Sequence, residues 1–182
     1  MRLARSFALI LLTGTLLIPA LLPAQTPTIR VYFDEDWLVR SRHCPDETEG
    51  TVLDTLYVVA TDFGNILDLE YSIEGPLLFL ADLLPEGYSA SGVSFGGIIV
   101  TFPGPVPFTS ERLVHRVWFA WGCTGCQPWS IFVQPHPASG KIQGTRWPDL
   151  VKVEGVGSSN LLCYLTVPTE SETWGGVKAL YR

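Results

Sequence analysis

Ser94 is the first residue whose setting suggests chemistry. Gly92-Val-Ser94-Phe-Gly96 matches the G-x-S-x-G pattern of serine hydrolases, where a strained strand-to-helix turn presents a hydroxyl nucleophile to a histidine base and an acid. His115, His136 and Asp149 lie downstream and are the residues to nominate for those roles. Their order, Ser…His…Asp, differs from the Ser…Asp…His of enzymes that use this turn. The residues after the motif also argue against it. Gly97-Ile-Ile-Val-Thr-Phe-Pro103 is β-branched and ends in proline, which predicts a strand where the nucleophile turn requires a helix. The bland alternative, a glycine-bent strand, fits better. Ser94 remains the one catalytic candidate.

Carboxylates suggest a second chemistry. Asp34, Glu35 and Asp36, with Asp46, Glu47 and Glu49 nearby, form an acidic cluster of hard oxygen ligands, the kind Ca²⁺ takes in loops. Asp34, Asp36, Asp46 and Glu49 are the candidate ligands. The spacing is not that of an EF-hand and lacks its glycine, so a solvated acidic loop is the simpler expectation, and no cofactor is expected. His43, His115 and His136 have no second histidine at the i+2 or i+4 spacing of a metal site. Of the six tryptophans, Trp118 and Trp121 are three apart and so face opposite sides of a strand. Trp37, Trp129 and Trp147 are candidates for a surface that stacks on sugars.

The four cysteines, Cys44, Cys123, Cys126 and Cys163, raise redox and zinc chemistry. A thioredoxin-like pair needs a helix N-terminus in a βαβ setting, but Cys123-Thr-Gly-Cys126 lies between aromatic-rich, strand-like runs. Structural zinc favours a second close pair of ligands, and Cys44 and Cys163 stand alone. Two disulfides are therefore expected. Three connectivities are open, one of which closes the Cys123–Cys126 turn and ties Cys44 to Cys163.

These residues must be positioned by short strands. Ile66 to Glu74 alternates Leu67, Leu69, Tyr71 and Ile73 with Asp68, Glu70, Ser72 and Glu74, the period-two pattern of a strand with one wet face. Further strands are expected over 29–33, 51–60, 93–102 (bent at Gly96-Gly97), 114–121, 129–133, 151–154 and 161–167. The 129–133 run is expected to form a hairpin with 114–121. Leu77 to Leu84 reads equally as a helical turn or a strand end. Turns are expected at Asp62-Phe-Gly-Asn65, Pro85-Glu-Gly87, Pro103-Gly-Pro105 and Pro135 to Gly140. Thr169-Glu-Ser-Glu172 resembles a capping box, with Trp174, Val177 and Tyr181 at helical spacing, and predicts a short C-terminal helix. This pattern of strands and turns predicts an all-β antiparallel sandwich.

The chain has 182 residues, 47% hydrophobic and 16% charged, the profile of a folded domain. Arg2 and Arg5, an apolar run from Phe7 to Ile18, then Pro19, Pro23 and Ala24 read as a secretory signal peptide over residues 1–24. That leaves a single domain over 25–182 with no later membrane span. Removing Arg2 and Arg5 leaves 10 basic and 18 acidic residues, a net charge of −8. Without a basic patch to displace counterions from phosphates, nucleic-acid binding is excluded.

Val31-Tyr-Phe-Asp-Glu-Asp36, Leu56-Tyr-Val-Val-Ala60 and Leu69-Glu-Tyr-Ser-Ile73 resemble the opening strands of secreted bacterial immunoglobulin-like or cohesin-like sandwiches. The ending Trp174-Gly-Gly-Val-Lys-Ala-Leu-Tyr-Arg182 is similar to the ends of some exported bacterial proteins. The resemblance implies a sandwich but no activity, since such folds host many functions. The expected role is an exported, secreted or periplasmic module without catalysis, which binds a protein or glycan or serves structurally in the envelope. A secreted hydrolase using Ser94 or an acidic pair is the alternative.

Overall fold

The computed structural model describes residues 25–42, 50–123 and 129–162. The signal segment, the predicted C-terminal helix, His43, Cys44, Asp46, Glu47, Glu49, Cys126 and Cys163 lie outside the described residues. The described chain is a β-sandwich. Its strands are β1 (Thr28–Tyr32), β2 (Ser41–Arg42), β3 (Gly50–Thr61), β4 (Gly64–Glu74), β5 (Leu78–Leu83), β6 (Ser89–Val93), β7 (Gly97–Phe108), β8 (Arg112–Cys123), β9 (Trp129–Gln134), β10 (Gln143–Arg146), β11 (Lys152–Glu154), β12 (Val156–Gly157) and β13 (Ser159–Leu162). A single 3₁₀ turn, Ser94–Gly96, interrupts them.

One sheet has the order β12-β1-β3-β8-β5. All its pairings are antiparallel except β1 with β12. The other runs β11-β10-β4-β9-β13-β2, with β7 paired to β4 and β6 to β7. The core lies between the sheets and takes alternate residues from each strand. Leu56 and Val58 of β3, Val117 and Phe119 of β8, Leu69, Tyr71 and Ile73 of β4, and Ile98 and Val100 of β7 are all buried. The period-two reading of β4 holds from Leu69 onward. A bulge between Ile66 and Asp68 lets Ile66, not Leu67, take the next core position.

Three expectations need correction. β9 does not form a hairpin with β8; it pairs with β4 and β13 in the other sheet, because both runs carry core residues that face each other across the sandwich. The 93–102 run is not one bent strand. Val93 pairs with Gly97 across a tight hairpin that joins β6 to β7, and Gly92 is held at φ +82, where a Cβ would strike the Gly97 carbonyl. Pro103-Gly-Pro105 is no turn but lies inside β7, where the ladder to β4 skips register. Of the two readings for Leu77 to Leu84, the strand is correct, as β5.

The last described segment links the sheets. β12 runs parallel to β1, the Ser158 amide donates to the Ile29 carbonyl, and the Val133 amide of β9 donates to the Ser158 carbonyl. The chain then continues as β13 beside β9. Gly157 makes this crossing possible, because a Cβ there would drive into the Val133 carbonyl.

Candidate functional site

Ser94 and His115 do meet. The Ser94 hydroxyl lies 2.9 Å from His115 Nε2. The acid beside them is Asp82 of β5, not Asp149. Asp82 Oδ1 is 2.5 Å from Ser94 Oγ and 3.1 Å from His115 Nε2, and its Oδ2 accepts the Ser94 amide at 3.0 Å. The other ring nitrogen, His115 Nδ1, lies 2.8 Å from the Tyr71 hydroxyl. Each strand places its polar group at an inward position: β8 supplies His115, β4 Tyr71 and β5 Asp82, while the 3₁₀ turn supplies Ser94.

The partners fix the protons. The Tyr71 O–H donates to Nδ1, so Nε2 carries the imidazole hydrogen and donates toward Asp82 and Ser94. The Ser94 O–H in turn donates to Asp82. In this arrangement each donor and acceptor of the cluster is met. Burial alone would push the Asp82 carboxyl up. The hydrogen bonds from His115 and from the Ser94 hydroxyl and amide outweigh it and hold Asp82 below the ordinary carboxylate value. Burial, and then the Asp82 charge, push the Tyr71 phenol well above its usual value.

This geometry is not that of a nucleophile–base–acid triad. A triad histidine uses one nitrogen for the serine and the other for the acid. Here serine and acid share Nε2, and the serine proton already points at the acid. Ser94, His115 and Tyr71 are all fully buried. A surface cleft of about 530 Å³ opens beside the turn, lined by Ser72, Glu74, Phe95, Gln134, Pro135 and Pro137, but neither Ser94 nor His115 lines it.

The other sequence candidates are dispersed. Asp149 pairs with Arg146 at the surface, 2.5 Å away. His136 lies 3.5 Å from Glu70, which also accepts the Gln143 amide at 2.8 Å. Burial raises the Glu70 carboxyl, but the Ser139 hydroxyl and the Gln143 amide overcome this and the net shift is down. Asp34 spends its carboxylate on the amides of Leu38 and Val39. Asp36 is exposed in the same loop. Among the described residues no group of three or more His, Cys, Asp or Glu side chains could hold a metal ion. Trp118 is 47% exposed and Trp121 is buried, on opposite faces as their spacing predicts. Trp129 and Trp147 are both exposed, but at opposite ends of β4: Trp129 starts the strand that pairs with Glu74, and the Trp147 amide donates to Asn65.

The two outer sheet faces differ in chemistry. On β4, β10 and β11 the outward residues include Asp68, Glu70, Glu74 and Glu154, crossed by Lys152 at 3.4 Å from Asp68. The outer face of the five-stranded sheet is apolar at its centre. Leu53 of β3 sits opposite Ala120 of β8, which sits opposite Leu78 of β5. The next row is Thr55, Trp118 and Ala81, and the next Tyr57, Arg116 and Leu83. Leu53 and Leu78 are 62% and 65% exposed.

Solved structures that share this sandwich include cohesin modules. The seventh ScaB type I cohesin from Pseudobacteroides cellulosolvens superposes with a TM-score of 0.52 at 10% identity, over 80% of this chain and 96% of that one. The cohesin module of a Clostridium perfringens family 33 glycoside hydrolase gives 0.54 at 8% identity, over 76% and 96%. The OlpA cohesin of a type I cohesin–dockerin complex from Clostridium thermocellum gives 0.50 at 8% identity, over 76% and 98%. The fold is thus cohesin-like, and identities this low establish the fold alone. No family model matches the sequence, and no curated protein matches it.

Proposed function

We propose that this chain is an exported, non-catalytic module that binds a protein partner through the surface of a rigid sandwich. In this reading residues 1–24 are a cleaved signal, 25–182 are one domain, and the four cysteines form two disulfides. The observation that carries the reading is the state of Ser94. The one serine that matches a nucleophile motif is fully buried, and its proton is already committed to Asp82. The cohesin-like fold supports a protein as the partner, since one of the matching cohesins was solved in complex with a dockerin. Trp129 and Trp147, two of the tryptophans considered for sugar stacking, lie at opposite ends of β4 and do not converge.

A fluorophosphonate probe tests the non-catalytic half. The exported protein is expected to give no Ser94 adduct when folded and no ester hydrolysis that is lost in Ser94→Ala. An adduct at Ser94, or turnover abolished by that substitution, would overturn the proposal.

A further inference from the structure

The five-stranded sheet exposes large apolar side chains at the centre of its outer face, between β3 and β5. Its centre is Trp118, flanked by Leu53, Leu78, Leu80 and Leu83, each between 39% and 65% exposed. Scattered single apolar residues are ordinary on a protein surface, whereas large ones in adjacent register positions mark an interaction site. The three rows from Leu53 to Tyr57 span about 14 Å along the strands, and β3 to β5 span about 10 Å across. That footprint matches about ten residues of one α-helix.

The charge at the centre of this face has the opposite sign to that of the whole chain. The chain carries a net −6. On this face Arg116 sits between Tyr57 and Leu83 with no carboxylate partner among the described residues. At its β1 side Arg40 lies over the Tyr32 ring, 5.4 Å from its centre, and Arg30 pairs with Glu111 at 2.9 Å. Arg116 is thus the one charged side chain in the Leu53, Trp118 and Leu83 rows, while the loop that carries Arg40 also carries Asp34, Glu35 and Asp36. The outward residues of β4, β10 and β11 on the other sheet include Asp68, Glu70, Glu74 and Glu154.

From this we infer that the outer face of the five-stranded sheet, centred on Trp118 and Arg116, docks an acidic amphipathic helix of a partner protein. This rests on the binding role proposed above and names its surface and the chemistry of its partner. A tryptophan and an arginine beside leucines make the composition of a binding hot spot, and Arg116, without a carboxylate partner among the described residues, selects an acidic partner and steers its approach. An anionic bilayer is the other apolar and acidic surface available to an exported protein. Bilayers recruit clusters of about four to eight basic residues, more than this face holds, so a protein segment fits it better.

The test places a photo-crosslinking amino acid at Thr55, beside Trp118, and separately at Thr101, on the outer face of the other sheet, in the full chain exported by its native host. The Thr55 probe is expected to capture one other protein, at a segment rich in Asp or Glu with apolar residues at helical spacing. Trp118→Ser and Arg116→Glu should each cut that product at least tenfold without shifting the melting temperature, and Arg116→Lys should restore most of it. Capture from Thr101 alone would overturn this surface and leave the binding role standing. Thr55 capture of lipid, of a second copy, or of this chain's own residues 163–182 would overturn the proposed occupant. Absence of any protein product from either position would overturn both readings.

Discussion

Asp82 shows how one charge organises the interior between the sheets. It accepts from His115 and twice from Ser94, and so it is stabilised in its ionised form. Because its folded pKa is lowered, it contributes stability that is fully present above the unfolded carboxylate value near ~3.9 and is lost as pH falls through the lower folded value. Wild type should therefore lose stability below about pH 4, and Asp82→Asn should flatten that limb in pH-dependent chemical denaturation. An unchanged acid limb would show that Asp82 does not carry it. At neutral pH Asp82→Ala should cost about 3 kcal/mol, because it leaves buried donors without an acceptor. Half of this cluster is legible in the sequence. Ser94 stands out by its motif, and His115 lies beside Arg116 in an otherwise apolar run from Leu113 to Trp121. Asp82 is a single charge inside Leu78-Phe-Leu-Ala-Asp-Leu83, a sign of a buried, partnered carboxylate. Its partner is not legible, because β5 reaches β8 only through the sheet, across more than thirty intervening residues.

At the scale of elements, the sequence pattern identifies strands better than their partners. β4 can be read from its alternation alone, and β1, β3, β8 and β9 from their apolar runs. The short β2, β6, β10 and β12 escape notice because Ser41-Arg42 or Ser-Ala-Ser-Gly-Val93 carries too little apolar pattern; the neighbouring strand's ladder makes them strands. The β8–β9 hairpin fails for the same reason: period two reports which face is buried, not which sheet the strand joins. Gly157 gives this a measurable consequence. It lies against β9 where the chain passes from one sheet to the other, and any side chain there must push the two strands apart. Gly157→Ala should lower stability by at least about 2 kcal/mol in urea denaturation. Gly104→Ala, at a site with open space around it, should stay within about 0.5 kcal/mol. Equal effects of the two would refute the close-packed crossing.

Over the whole molecule, the strand ends bear on the cysteines. Arg42 lies opposite Leu162, Leu162 lies opposite Trp129, and Cys123 closes β8 opposite Gly50. Only residues 124–128 join the end of β8 to the start of β9. The described residues flanking Cys44, Cys126 and Cys163 therefore gather with Cys123 at one end of the sandwich, where β2, β8 and β13 finish and β9 begins. Two disulfides at that end would tie both sheets together and restrict the unfolded chain, a long-range bridge contributing about 2–4 kcal/mol. An exported sample should begin at Gln25, weigh four hydrogens less than its reduced form, and take up no alkylating reagent until it is reduced. Reduction should then lower the denaturation midpoint by the equivalent of that energy, and mapping of the bridged peptides would choose among the three pairings. Alkylation of the thiols in the unreduced folded protein would remove the disulfides from the proposal. The stability of the sandwich would then rest on its core and on the buried Asp82 network.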